Sequence, residues 1–408
     1  MPHSRAPKTV LCTWELGGQL GHIARLAHIA QALNERNYHC YLALKDLSRA
    51  APFFQGDGQQ LLQAPVFLPK IRMQRPVLSL ADTLLLSGYL HAEELTGLTQ
   101  AWTNLIELAQ PDLLLMDYSP TAALAARHLP CKKIIVGAGF WQPVPGHPIR
   151  SWLTDPSQTS AAQQSEQRVV HTINQVLSKR GQPPIRYIAD LFAVERTIIN
   201  TPPEFDLYGD IRQDGLYFHK SGAPGIEKPV QFGPGPQPKI LAYLKPGHPQ
   251  FDAIVEGLSR CNGNVYIACP RGDQKRLAAL QSERFHFSVE PVQLATAMAQ
   301  ADLFIGHGNS GTTLESILAG TPMLVLPIQL EQLLTAQTLH QLKLGQTVTQ
   351  VESAQQFTRV VNDTLAATEL RQNAQAYAQQ QAAHSKVTLG EAVANQCDEL
   401  SGGSKQQA

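Results

Sequence analysis

Two runs of alternating strand and helix patterns, separated by a stretch crowded with proline and glycine, constrain this chain more than any other feature. In the first run, residues 9–14 read as a buried strand that ends in the turn Gly17-Gly18-Gln19-Leu20-Gly21. Apolar residues then recur at Ile23, Leu26, Ala27, Ala30 and Leu33, which is helical spacing. Residues 39–44 read as a second strand, 95–108 as a helix, and 111–116 as an apolar strand that stops at Asp117. A short helix over 121–128 and a strand over 133–136 follow. Between 217 and 239 the periodicity fades into a proline- and glycine-rich linker. The alternation restarts with strands at 240–244, 265–268, 303–306 and 323–326, and past Val361 the chain is Ala/Gln-rich and helical.

Strand–helix–strand order of this kind requires parallel sheets with helices on both faces. The expected fold class is α/β, with two Rossmann-like doubly wound domains facing across a cleft. The expected divisions are a first domain over 1–216, a linker over 217–239, a second domain over 240–385, and a helix with a tail over 386–408. The last eight residues read as disordered. Ligands of such folds bind beyond the carboxyl ends of the strands.

Charge and cysteine usage remove several classes of function. The 33 basic residues balance 33 acidic ones and form no run that would neutralise a row of phosphates, so nucleic acid is not an expected partner. No apolar stretch approaches the ~20 residues needed to span a bilayer, and the short polar N-terminus does not read as a signal peptide, so a cytoplasmic protein without stable membrane insertion is expected. The six cysteines show no C-x-x-C spacing and read as reduced, buried small hydrophobes.

The segment 301–315 reads as strand, glycine turn and helix, with the helix ending near Gly320 and Pro322 beyond it. A glycine turn at a helix N-terminus presents unpaired N–H groups and the positive end of the helix dipole to a phosphate. His307 would add a hydrogen bond or a charge. Thr312 and Glu315 also fit a capping box, which would give Glu315 a purely local role.

This stretch resembles the donor-binding signature of the nucleotide-sugar-dependent glycosyltransferases of the GT-B fold, the UDP-glycosyltransferases and bacterial antibiotic glycosyltransferases. Their pattern, His-Gly-Gly-x-Gly-Thr-x-x-Glu, then Gly-x-Pro, then Pro, then Asp-Gln, is similar to His307 through Glu315, Gly320-Thr321-Pro322, Pro327 and Glu331-Gln332. The resemblance implies that His307, Gly308, Asn309, Ser310, Gly311 and Thr312 bind the diphosphate, Glu315 the ribose, and Glu331 and Gln332 the sugar hydroxyls. Asn309 stands where that family has glycine, Glu331 where it has aspartate, and Lys245-Pro246-Gly247 where it has Gly-Ser near the phosphates. Lys245 reads either as a compensating phosphate contact or as an ordinary loop lysine.

In the first half, His22 follows Gly21 at the start of the first helix, and Asp117 ends an apolar strand. A carboxylate at a strand end can orient an imidazole and favour its protonated form, although Asp117 can also be read as a cap for the helix beginning near Ser119. In the same enzymes a Gly-His at this turn supplies the general base and a later strand-end aspartate pairs with it. The resemblance therefore implies catalytic roles for His22 and Asp117, and an inverting displacement on a nucleotide-sugar. The co-substrate would be a uridine or deoxythymidine diphosphate sugar, the acceptor a small molecule, and no cofactor or metal is expected, since the chain has no D-x-D pair.

Apolar and aromatic residues between Leu78 and Trp102, and the Gly137–Trp141 turn, read equally as an acceptor pocket or as core. Three competing readings stand beside this one. They are a nicotinamide-dependent oxidoreductase using Gly17-Gly18-x-x-Gly21 with Asp46 on a ribose, a nucleotide-sugar epimerase, and a nucleotide-sugar-binding protein without turnover.

Overall fold

In the computed structural model, residues 7–18, 20–54, 59–153, 156–218, 228–382 and 386–402 are described. The chain divides into two compact units, residues 1–224 with 387–408, and residues 225–386. Residues 219–227 of the expected linker lie outside the described residues, as do 403–408 of the tail.

The first unit runs β1 (Lys8–Trp14), α1 (Leu20–Asn34), β2 (Tyr38–Leu44), β3 (Gln59–Gln63), α2 (Leu80–Leu85), α3 (Ala92–Ala109), β4 (Leu113–Asp117), α4 (Pro120–Ala126), β5 (Lys132–Gly137), α5 (Pro156–Lys179), β6 (Arg196–Ile199) and β7 (Gly215–Tyr217). Its seven strands are parallel, in the order β3-β2-β1-β4-β5-β6-β7. The strands read as continuous apolar runs because both faces are covered. Leu11, Leu114, Met116 and Ile135 enter a core with residues of α2 to α5. Val10, Cys12, Trp14, Leu113, Leu115 and Val136 point the other way, into a core with Ile23, Leu26, Ile29 and Leu33 of α1. Successive residues of a strand face opposite sides, so Asp117 shares the α1 face with Leu113 and Leu115.

The second unit repeats the architecture with β8 (Lys239–Tyr243), α6 (Phe251–Ser259), β9 (Asn264–Ala268), α7 (Gln274–Ala278), β10 (Phe285–Ser288), α8 (Leu294–Met298), β11 (Leu303–Gly306), α9 (Ser310–Ala319), β12 (Met323–Val325), α10 (Leu330–Gln341), β13 (Gly345–Thr347), α11 (Ala354–Ala366) and α12 (Thr368–Ala382). Its sheet is also parallel, in the order β10-β9-β8-β11-β12-β13. The order reverses between β1 and β4 in the first sheet and between β8 and β11 in the second. In open α/β sheets such reversals open the crevice in which ligands bind.

The final helix, α13 (Leu389–Gly402), packs on α1 of the first unit. Its Leu389, Val393, Ala394 and Cys397 join the core that α1 lines. Gly390 lies where a Cβ would come within 2.8 Å of the His28 carbonyl, so the two helices cross closely. Polar contacts secure the far end: Tyr38 Oη donates to Asp398 at 2.8 Å and Arg196 Nε to Gln396 at 2.7 Å. Ser401 and Gly402, read from sequence as disordered, close this helix instead.

The residues from Leu78 to Trp102 resolve toward core: Leu78, Leu80, Leu84, Leu85, Tyr89, Leu95 and Trp102 are all buried. Trp141 is buried as well and stacks on Tyr118. All six cysteines are buried and unpaired.

Ending the chain before Leu389 strips Leu389 and Val393 from the first unit, at about 1.5–3 kcal/mol for each buried side chain. A chain stopped at Lys386 is expected to unfold at clearly lower denaturant concentration than the full chain, through its first unit. An unchanged midpoint would show that α13 is dispensable to that core.

Candidate functional site

Each sheet gathers polar residues at its reversal point. In the first, β1 and β4 are hydrogen-bonded neighbours with Trp14 opposite Asp117, so the β1–α1 turn and the end of β4 meet. His22 Nδ1 lies 3.0 Å from Asp117 Oδ1, with the His22 side chain 15% exposed and Asp117 completely buried. The contact is close in distance and off the ideal hydrogen-bond line. Trp14 stacks on the imidazole at 5.2 Å between ring centroids. A Cβ on Gly17, whose φ is +77°, would come within 2.8 Å of His22 Nε2, so glycine keeps the approach to that nitrogen open.

A cation on α1 was not singled out in the sequence. Arg25 Nη1 donates to Asp117 Oδ2 at 2.7 Å, one helical turn beyond His22. Burial pushes the Asp117 carboxyl up, but Arg25 and His22 more than offset this and hold it below the usual carboxylate range. The signal was available, since residues three apart share a helix face, but only the pairing of β1 with β4 brings that face to Asp117.

Asp117 does not cap the following helix. Glu15 does that: its carboxylate accepts from the Thr121 backbone N–H at 2.9 Å and from the Thr121 hydroxyl. Burial, only partly opposed by those hydrogen bonds and by Lys45, raises the Glu15 carboxyl to about 7. Tyr118, directly after Asp117, adopts φ +50°, a costly conformation for an aromatic residue. Its carbonyl accepts from Leu16 N at 2.9 Å, which ties the β1–α1 turn to the end of β4.

In the second unit, His307 follows β11 and α9 begins at Ser310. Gly308 has φ +83°, and a Cβ there would come within 2.9 Å of the Gln332 carbonyl. The helix ends at Gly320 in the left-handed conformation. Its N-cap is Asn309, whose side chain makes no cap hydrogen bond, so the Thr312–Glu315 capping box read from the sequence does not form. Thr312 Oγ1 donates instead to the Asn309 carbonyl at 3.2 Å. The N-cap side chain leaves the N–H groups of the first turn uncapped at the positive end of the dipole. Ser310 and Gly311 form that turn, and Glu315 is half-buried one turn further on.

Three residues expected to meet the donor turn inward in the structure. His307 was expected to give phosphate a hydrogen bond or a charge. It is completely buried, its Nε2 accepts from Lys245 N at 2.9 Å, and its Nδ1 lies 2.9 Å from the Leu326 carbonyl. The backbone donor at Nε2 places the ring proton on Nδ1, so both nitrogens are engaged within the protein. Burial drives its pKa down to about 4, which leaves the ring neutral. Gln332 was expected to meet sugar hydroxyls, yet it is completely buried. Its Oε1 accepts from Ile328 N at 2.8 Å and its Nε2 donates to Asn309 Oδ1 at 2.8 Å. Asn309, expected beside the phosphates, thus turns its side chain to Gln332.

Glu331 is half-buried, and its charge opposes the burial that lowers the pKa of Lys245. Asp46, the ribose ligand of the oxidoreductase reading, accepts from Ser48 N at 3.0 Å and from Arg49 Nε at 2.9 Å, a local capping role.

Two parallel sheets of this order, each with its polar cluster at the reversal point, are the architecture of the GT-B glycosyltransferases. Residues 262–392 match the glycosyltransferase family 28 C-terminal domain. Structurally, the chain matches the glycosyltransferase of kitacinnamycin with a TM-score of 0.70 and 16% identity, over 97% of this chain and 100% of that one. It matches the spinosyn rhamnosyltransferase complexed with thymidine diphosphate with a TM-score of 0.64 and 15% identity, over 96% and 100%. At such identities the likeness establishes the fold. A zeaxanthin glucosyltransferase of Pantoea ananas is 30% identical over 115 residues, a match that spans 27% of this chain and 27% of that protein. Together these findings show that the chain has the GT-B fold and that its second unit is similar to the glycosyltransferase family 28 C-terminal domain.

The depressed His307 pKa has a consequence for stability. The unfolded chain takes up a proton near the ordinary value of 6.5, and the folded one only near 4. Stability is therefore full above about 6.5 and falls as pH drops toward 4, by about 3 kcal/mol in all. Denaturant melts of the second unit are expected to show this slope, and His307→Gln to remove it. In Gln332→Ala the Ile328 N–H and Asn309 Oδ1 lose their partner, with an expected loss of about 1–3 kcal/mol in the same melts.

Proposed function

We propose that the chain transfers a sugar from a uridine or deoxythymidine diphosphate sugar to a hydroxyl of a small apolar acceptor, inverting the anomeric centre without a metal. The observation that carries this reading is the His22–Asp117–Arg25 constellation at the reversal point of the first sheet. With Asp117 ionised beside Nδ1, the neutral imidazole keeps its proton on Nδ1 and offers Nε2 as the base.

In the proposed reaction, Nε2 takes the proton of the acceptor hydroxyl as its oxygen bonds to the anomeric carbon. The bond from that carbon to the diphosphate breaks, and the diphosphate leaves with the electron pair. Asp117 stabilises the imidazolium that forms, and Arg25 keeps the carboxylate in place and charged. The uncapped N-terminus of α9, with Lys245 just beyond β8, the strand that pairs with β11, would meet the growing charge of the leaving group. A single displacement inverts the configuration.

Support for the donor comes from relatives of the same fold that are described in complex with thymidine diphosphate. Support for an apolar acceptor comes from the relative that is by name a zeaxanthin glucosyltransferase. Among the described residues no group of three His, Cys, Asp or Glu side chains is arranged to hold a metal ion. No described helix is long and apolar enough to cross a membrane.

In His22→Ala, kcat for transfer is expected to fall by about 10²–10⁴-fold while the affinity for the nucleoside diphosphate stays unchanged. The assay supplies nucleotide sugars and apolar alcohols with a chelator present. Transfer at the wild-type rate in His22→Ala would sink the general-base assignment, and transfer that requires an added divalent ion would sink the metal-free one.

A further inference from the structure

The resemblance of the 307–332 segment to nucleotide-sugar sites assigns the imidazole at the diphosphate to His307, but that ring has no hydrogen to offer. Its Nε2 accepts from Lys245 N and its proton on Nδ1 faces the Leu326 carbonyl. Turning the ring toward a ligand would leave a buried backbone N–H and a buried carbonyl unpaired, which costs about 1–3 kcal/mol for each group.

A second imidazole lies against it. His248 sits in the loop after β8, the strand that pairs with β11 at the reversal point of the second sheet. Its ring is stacked on His307, with 5.5 Å between centroids and 20° between planes. Its Nδ1 accepts from Gln250 N at 3.1 Å, so the proton of the neutral ring is on Nε2. The residue is only 7% exposed, and its Nε2 has no hydrogen-bond partner among the described residues. That nitrogen therefore opens to the surface, where a ligand can reach it. The neighbouring α9, ten residues long, presents a first turn that its N-cap side chain leaves uncapped.

We propose that His248, not His307, gives the imidazole hydrogen bond to the leaving diphosphate, its Nε2–H acting with the first-turn N–H groups of α9. The inference rests on the donor-site reading above and adds a contact residue to it. His248 keeps its proton throughout: the electron pair of the breaking bond stays on the diphosphate oxygen, and the proton of the acceptor goes to His22. Burial and the nearby Lys245 charge hold the His248 pKa below its ordinary value, so the ring acts as a neutral donor, by hydrogen bond and not by charge. His307 becomes the plate on which His248 rests and the brace between the loop after β8 and the end of β12.

The test is calorimetric titration of the full chain with uridine diphosphate, thymidine diphosphate and the corresponding nucleosides. His248→Ala is expected to bind the preferred diphosphate about tenfold more weakly and its nucleoside unchanged, the loss of one hydrogen bond to phosphate. His248→Gln, which restores an N–H near the same place, is expected to recover most of the affinity. His307→Gln is expected to lower the melting temperature and to change the diphosphate affinity less than His248→Ala does. Wild-type affinity in a folded His248→Ala would overturn the assignment alone. A folded His307→Gln that loses diphosphate affinity more than His248→Ala would return the role to His307. If the wild-type chain binds neither diphosphate, the donor-site reading falls and this inference falls with it. Should His248→Ala fail to fold, the comparison of His248→Gln with His248→Leu decides, because only the first can donate.

Discussion

A fully buried carboxylate at the end of β4 organises the first unit's reversal point. Removing Asp117 from water costs several kcal/mol unless cations and donors surround it, and α1 supplies two of them on one face, His22 and Arg25. That requirement fixes much else. Asp117 must lie on the α1 side of the sheet, which the strand parity of Leu113 and Leu115 ensures. The β1–α1 turn must be short and glycine-bearing so that the helix starts beside the carboxylate. Tyr118 must take up a strained backbone conformation to turn the chain away, and its stacking on Trp141 helps to hold it there. Glu15 caps α4 and thereby leaves Asp117 without that duty. An imidazole, a carboxylate and a guanidinium are brought together by one packing constraint.

The second unit meets the same topological opportunity with neutral groups. Where the first sheet buries an ion cluster, the second buries an imidazole whose charged form is suppressed by burial. Asn309 shows how a single departure from the resembled pattern spreads. A glycine there would leave Gln332 free to turn outward, but the Asn309 carboxamide oxygen accepts from Gln332 Nε2 and fixes it inside. The same turn therefore lacks a side-chain cap from Asn309 and holds the Gln332 amide inside.

The alternation of strand and helix was legible because both sheets are buried on two faces and their strands are unbroken apolar runs. Edge strands carried no such pattern: Gln59–Gln63 is largely polar and its exposure explains why. The long helix over Pro156–Lys179 was also absent from the reading, its apolar residues diluted by glutamine and charge. His22 and Asp117 were legible because each stands at the end of a clear element. Arg25 was not, since nothing local marks one arginine of an amphipathic helix as the partner of a strand-end carboxylate so far along the chain. His248 escaped for a related reason. Its importance arises from what happens to His307, and hydrogen bonds to backbone N–H groups leave no trace in composition or spacing.

The two histidines illustrate why a motif match assigns a position more securely than it assigns a role. The signature requires a small, planar, hydrogen-bonding residue between β11 and α9, and His307 satisfies that by bracing Lys245 and Leu326. Whether the ring also faces a ligand depends on the loop after the neighbouring strand, where Lys245-Pro246-Gly247-His248 replaces the shorter polar turn of the resembled enzymes. Once that loop directs a backbone N–H at His307 Nε2, the ring's donor capacity is committed inward, and a hydrogen bond to an anion would come from other groups, the α9 N–H groups among them. His248 is stacked on His307 with its own Nδ1 engaged by Gln250, which leaves its Nε2–H as the imidazole donor of the proposal. The departure at the loop and the inward turn of the motif histidine are then one structural change.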